Sequence, residues 1–160
     1  MSSAIMQYLN WDTLNKTFYL MDTFNGIDAR YLSAEELAQK VLDRNKSGFY
    51  TDTPALAKAN FAQWKNIRFV VGSIRETLDF VQTRQIAFLH LDMNCALPEA
   101  AALHFFWDRL VPGAFVLLDD YAYKGYPLQK KAMDEAAKSK DVRIASLPTG
   151  QGLLIKPWRS

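Results

Sequence analysis

The stretch IAFLHLDMNCALPEAAALHFFWDRLVPGAFVLLDDY, Ile86 to Tyr121, reads as strand, helix, strand. Ile86 to Leu91 is apolar apart from His90, and Ala114 to Leu118 is apolar throughout. Such runs suit parallel strands buried on both faces. Each run stops at carboxylates, the first at Asp92, the second at Asp119 and Asp120. Paired strands lie about 5 Å apart, so if these two are neighbours their acids meet at one sheet edge. In open α/β sheets, ligands bind at the carboxyl ends of the strands. Between the runs, Pro98 is expected to open a helix with Leu103, Phe106, Trp107 and Leu110 at helical spacing.

Upstream, Ile67 to Val71 is a further strand closed by Gly72, and Ser73 with Glu76 caps a short helix carrying Ile74, Thr77, Leu78 and Val81. Thr53 and Pro54 read as N-cap and first helical position of a helix reaching about Trp64. Ser33 and Glu36 form a capping box before a stripe of Leu37, Ala38, Val41 and Leu42, ended by a loop at Gly48. Thr17 to Met21 is a β-rich run stopping at Asp22, with Thr23-Phe24-Asn25-Gly26 as a turn, and residues 2–10 offer a short helical face. Downstream, Pro127 to Ser139 is an amphipathic helix. Val142 to Ser146 and Leu153 to Lys156 read as strands joined by a short turn, hence an antiparallel hairpin. The alternation predicts an α/β fold: a doubly wound, mostly parallel sheet with helices on both faces and an antiparallel C-terminal hairpin.

A chain of 160 residues, 49% hydrophobic, fits one domain. Its net charge of +2 with scattered Lys and Arg makes no case for nucleic acid. A lone cysteine, Cys95, excludes an internal disulfide framework and fits a reducing cytoplasm. No apolar run approaches the roughly 20 residues that span a bilayer, so no membrane partner is expected.

Asp22 ends a strand, where an acid can hydrogen-bond a ribose or simply start a turn. Gly72-Ser73 fits an ordinary turn with an N-cap. Asp92, Asp119 and Asp120 at one edge would repel each other unless a cation or proton intervenes, and oxygen ligands suit Mg²⁺; solvated loop-start aspartates are the alternative. His90 shares strand parity with Asp92 and reads either as a satisfied core histidine or as a proton acceptor beneath the site. Cys95 reads as a buried filler, His104 as a surface residue, and Phe105, Phe106 and Trp107 mostly as core. Tyr121, Tyr123 and Tyr126 line a pocket or are plain loop aromatics.

The ordered segments YLMDTFNGID, NFAQWKNIRFVVGSI, IAFLHLDMN, FFWDRLVPGAFVLLDDY and GQGLLIKP resemble the macrocin O-methyltransferase family. These are class I, S-adenosylmethionine-dependent enzymes that methylate sugar hydroxyls of macrolides. The likeness runs from about Thr17 to Pro157. It implies a Rossmann-like, seven-stranded sheet with an antiparallel last strand. By position, it implies that Asp22, Thr23, Phe24 and Gly26 hold the cofactor's ribose and adjoining parts, and that Phe61, Ser73 and Ile74 flank its adenine. Asp92, Asp119 and Asp120 match the family's magnesium ligands, with Asp92 shared between cofactor and metal and expected to bear on catalysis. The metal would orient a small-molecule hydroxyl acceptor and lower its pKa for in-line attack on the methyl group.

Two departures accompany the resemblance. The family's acid two positions after the Asp92 equivalent is Asn94 here, which keeps a carbonyl oxygen but loses the charge. Nothing before Thr17 resembles the family's first strand and glycine-rich loop, so the expectation is an N-terminally truncated single domain over residues 1–160, first strand missing. Unpaired buried backbone at the vacated edge would cost about 1–3 kcal/mol per group, and tight S-adenosylmethionine binding by this chain alone is not expected. The rival expectation is a degenerate methyltransferase-like module that binds without catalysing and pairs its open edge with another chain as a homo-oligomer. A phosphatase-like Mg²⁺ hydrolase would need a second acid where Asn94 stands.

Overall fold

The computed structural model describes residues 1–46 and 54–158. The expected cap at Thr53 and loop at Gly48 lie outside them. The chain divides into two compact units, a smaller one of Met1–Gly26 with Arg44–Val81 and a larger one of Ile27–Asp43 with Gln82–Ser160.

In the smaller unit, helix α1 (Ser2–Tyr8) leads through a 3-10 turn into strand β1 (Phe18–Asp22). Helix α4 (Pro54–Phe61) precedes strand β2 (Ile67–Val71), and the one-turn helix α5 (Ile74–Thr77) follows it. β1 and β2 pair in parallel from Phe18↔Ile67 to Asp22↔Val71. Aromatic edges hold the pair: Trp11 packs on Phe18 at 5.2 Å and Phe61 on Phe69 at 6.1 Å between ring centroids. Gly72 follows β2 at φ +138°, and a Cβ there would stand 2.9 Å from Thr77 Cγ2. Only glycine suits that turn.

The larger unit holds helix α2 (Ala34–Ala38), strand β3 (Ile86–Leu91), helix α6 (Ala96–Phe106), strand β4 (Leu110–Leu118), helix α7 (Pro127–Lys138) and strands β5 (Ala145–Ser146) and β6 (Gly152–Ile155). Helix α3 (Asp43–Lys46) begins at the last residue of one segment of the larger unit and continues in the smaller one. The sheet order is β3-β4-β6-β5. β3 and β4 are parallel, and β6 runs antiparallel to both β4 and β5, as the short turn between the last two strands requires. The central pair expected from the opening stretch is thus real.

Several boundaries differ from the sequence reading. α6 starts at Ala96 rather than Pro98, because proline is tolerated throughout a first turn whose N–H groups have no helical partner. Leu110 belongs to β4, not to the helix, and is buried there. The stripe after Ser33 is cut at Ala38, and Lys40 takes φ +56°; Val41 and Leu42 lie in a turn. The expectation of strands buried on both faces is also corrected. In β4, Ala114, Val116 and Leu118 are buried while Phe115 is 49% exposed. Phe115 pairs with the exposed Phe88 on one side and the exposed Ile155 on the other, so an apolar row crosses the sheet in the open. An apolar run reports strand formation, while burial on each face depends on what packs there.

The larger core gathers Leu91, Leu103, Phe106, Trp107, Val116, Leu118, Met133 and Leu154. Lys156, itself buried, donates to the Trp107 carbonyl at 2.8 Å with its ammonium 4.0 Å from the indole centroid. No helix among the described residues is long and apolar enough to cross a membrane.

Candidate functional site

The carboxyl ends of β3 and β4 meet as the sequence predicted. Leu91 pairs with Leu118, and the Asp119 N–H donates to the Leu91 carbonyl at 3.0 Å, which brings the residues following both strands side by side. One ligand atom each from His90, Asp92 and Asp119 lies within 4.8 Å of the others. Asp120 is next along the chain. Gln151 Nε2, from the turn before β6, donates to Asp119 Oδ1 at 2.8 Å. The sequence reading missed Gln151; its only signal was a place in the hairpin turn.

His90 is not the satisfied core histidine weighed above. Its Nε2 is shut off from solvent, makes no hydrogen bond, and lies 3.5 Å from Asp119 Oδ1. That distance exceeds the normal N–H···O range.

Behind the edge, the loop from Met93 to Ala96 is tied down by two buried glutamates. Glu99 Oε1 accepts the Met93 N–H at 3.1 Å, and Glu36 Oε1 accepts the Ala96 N–H at 2.7 Å from sixty positions away in sequence. Glu36 also closes the predicted capping box, its Oε2 accepting both the backbone N–H and the hydroxyl of Ser33 at 2.8 Å. Asn94, at φ +56°, directs its amide to Asp92 Oδ1 at 3.4 Å. Burial pushes Glu99 up to about 8, with the charges of Asp120 and Asp92 adding to the rise and the Met93 N–H opposing it. Near neutral pH Glu99 therefore carries its proton. Cys95 is buried, and burial followed by repulsion from Glu99 and Glu36 pushes its thiol up to about 12, so it is an inert filler, as expected.

Tyr121 is buried: it donates to Asp134, receives a bond from Lys130 Nζ at 3.0 Å, and presses on Gly152, where a Cβ would stand 2.6 Å from its ring. It is a structural pin, whereas Tyr123 is exposed. His104 is exposed as read, and Phe106 and Trp107 are core.

The second set of candidates belongs to the smaller unit. The Gly72 N–H donates to the Asp22 carbonyl at 2.9 Å, so Asp22-Thr23 and Gly72-Ser73 share the carboxyl edge of the β1–β2 pair. Asp22 is exposed and its Oδ1 accepts the Phe24 N–H at 2.7 Å, an Asx turn that lets Phe24 adopt φ +49°. Thr23 Oγ1 donates to the Gly26 carbonyl at 2.6 Å and closes the same turn. Ser73 is buried, and its carbonyl starts α5 by accepting from Glu76 and Thr77. Ile74 is half-buried on that helix, and Phe61 packs on Phe69.

A model of the macrocin-O-methyltransferase (TylF) family matches residues 2–143. The chain is 26% identical over 108 residues to 8-demethyl-8-(2,3-dimethoxy-alpha-L-rhamnosyl)-tetracenomycin-C 4'-O-methyltransferase of Streptomyces olivaceus, which covers 65% of this chain and 41% of that protein. In structure it is similar to the O-methyltransferase NovP, with a TM-score of 0.82 at 19% identity over 98% of this chain and 66% of that one. It is also similar to CalS11, a TDP-rhamnose 3'-O-methyltransferase of calicheamicin biosynthesis, with a TM-score of 0.60 at 20% identity over 96% and 64%. The chain thus spans about two fifths of the curated relative and just under two thirds of these solved structures. Their likeness establishes the Rossmann-like α/β fold.

Proposed function

The chain belongs to the macrocin-O-methyltransferase (TylF) family, and from that premise we propose that it serves S-adenosylmethionine-dependent O-methylation of a hydroxyl on a sugar-like small molecule, with a divalent cation such as Mg²⁺ assisting. The convergence of Asp92 and Asp119 at the carboxyl edge of β3–β4 carries this reading. Two of the relatives, the rhamnosyl-tetracenomycin-C 4'-O-methyltransferase and the TDP-rhamnose 3'-O-methyltransferase, act on sugars, which favours a sugar acceptor.

The residues fit a cation. Opposed ligands of Mg²⁺, each about 2.1 Å from the ion, stand about 4.2 Å apart, and one donor atom each from His90, Asp92 and Asp119 lies within 4.8 Å of the others, with Asp120 next along the chain. Asp92, Asp119 and Asp120 would hold it. When bound, the ion supplies positive charge that orients an acceptor's oxygens and eases loss of a hydroxyl proton, while S-adenosylmethionine supplies the methyl group. Gln151 keeps Asp119 Oδ1 oriented. Glu36 and Glu99 fix the Met93–Ala96 loop, so that Asp92 need not be ordered at the moment of binding. On the cofactor side Asp22, with Thr23, Phe24 and Gly26, would take the ribose, and Ser73, Ile74 and Phe61 the adenine.

Mass spectrometry of nucleotide-linked deoxysugars incubated with the chain and S-adenosylmethionine in large excess, as weak cofactor binding requires, should show a gain of one methyl group that chelator removes. Asp119→Ala should abolish transfer yet leave cofactor affinity within about threefold, since it removes a metal ligand and not a cofactor contact. Turnover unaffected by chelator would sink the metal role. Asn94 favours a second reading, a module that binds without catalysing; a stable dimer with no methyl transfer to any sugar would select it.

A further inference from the structure

We propose that His90 is itself a ligand of the cation, and that His90, Asp92 and Asp119 form a nitrogen–oxygen–oxygen site selecting a borderline first-row ion of the Co²⁺ or Zn²⁺ class over Mg²⁺. This rests on the metal half of the proposed function and changes its chemistry.

Three observations carry the assignment. His90 Nε2 is sealed from solvent and makes no hydrogen bond; leaving a buried polar atom without one is unfavourable, and a coordinated cation removes that cost. Its position is the second. His90 and Asp92 are two residues apart, so they project to the same side of the strand. The parallel register His90↔Leu117 and Leu91↔Leu118 delivers Asp119 beside them from β4. Nε2 thereby lies 3.5 Å from Asp119 Oδ1, and the three donor atoms fall within 4.8 Å of one another. A neutral imidazole donating to that carboxylate would close to about 2.7–3.2 Å, whereas two donors to one ion stand about 3 Å or more apart. Donor chemistry is the third. Imidazole nitrogen suits zinc, iron, nickel and cobalt, while all-oxygen sets suit magnesium. Gln151 supplies the outer hydrogen bond that ligating carboxylates ordinarily receive.

The test titrates the 160-residue chain with Co²⁺ and Mg²⁺ alone, followed by calorimetry and by the visible absorption of bound Co²⁺. The wild-type chain should bind Co²⁺ at least about tenfold more tightly than Mg²⁺, following the ligand preference of imidazole. His90→Phe should lose about tenfold or more in Co²⁺ affinity while Mg²⁺ affinity stays within about twofold, and Asp119→Asn should weaken both. Should His90→Phe melt below the working temperature, His90→Gln takes its place. Pulsed electron paramagnetic resonance of bound Mn²⁺ reads ligation directly: ¹⁴N coupling in the wild type and none in the variant. Unchanged Co²⁺ affinity without His90, or wild-type Mn²⁺ without ¹⁴N coupling, overturns the assignment and leaves an all-oxygen site standing. Failure of every cation to bind overturns the metal half of the proposed function as well.

Discussion

Two strand pairs in this molecule follow one local grammar, an apolar strand and then an acid, and they end differently. In the β1–β2 pair no residue is fully buried, and Asp22 projects as an exposed Asx turn whose partner is two residues away. In the β3–β4 pair Leu91, Leu110, Ala114, Val116 and Leu118 are buried. There the acids sit in front of a loop held by Glu36 and Glu99, with Gln151 reaching in from the far hairpin. A site becomes preorganised when side chains remote in sequence satisfy its backbone. The smaller edge has its turn; the larger edge has its turn and a buried support.

This contrast can be broken experimentally, most forcefully at the larger core. Trp107 is 1% exposed and lies beneath Lys156. Trp107→Ala should destabilise the larger unit by about 3–5 kcal/mol, read as loss of amide exchange protection in β4 and β6. Protection in the wild-type β1–β2 amides equal to that of β4 would dissolve the comparison, since a two-stranded pair is marginal alone. Next comes Glu36→Ala, which strands the part-buried Ala96 N–H donor at about 1–3 kcal/mol and opens the capping box at the exposed Ser33. Urea unfolding should show the loss, and a cost below about 0.5 kcal/mol would mean that the loop needs no such tie.

Glu99 gives a pH signature. Its folded value is raised from 4.5 to about 8, so between those values the folded state holds a proton that the unfolded chain has shed. The contribution of Glu99 to stability is therefore fullest at and below about 4.5 and falls as pH rises toward 8, by up to about 1.4 kcal/mol per pH unit. Glu99→Gln should flatten that slope in thermal melts; a slope identical to wild type would assign it elsewhere. The smallest effect belongs to the other edge: Asp22→Ala removes one exposed turn bond, worth about 0.5–1.5 kcal/mol. The corresponding melt should move by only a few degrees. A larger loss would show that the smaller unit leans on its acid as the larger one does on its glutamates.

Much of this was legible before any coordinates. β2 and β3 fall at the expected residues, the capping box at Ser33 and Glu36 forms, and the C-terminal hairpin is antiparallel. These are short-range matters, set by side-chain periodicity, cap chemistry and turn length. The acids at strand ends were readable for the same reason, because a strand's end is a local event. The start of α6 and the length of β4 are not set locally, because proline and glycine allow two local answers there. Leu110 fits a helical stripe by spacing, and only its pairing with Ile86 makes it a strand residue.

The sequence by itself determined which segments become strands and helices, and that acids stand where two strands end. Tertiary structure alone decided which of those acids meet, that Phe88, Phe115 and Ile155 stay exposed although apolar, and that His90 Nε2 makes no hydrogen bond. Periodicity constrains neighbours within about one helical turn or one strand. Glu36 with Ala96, Gln151 with Asp119 and His90 with Asp119 are contacts across dozens of residues, set by the register and packing of whole elements rather than by any local pattern.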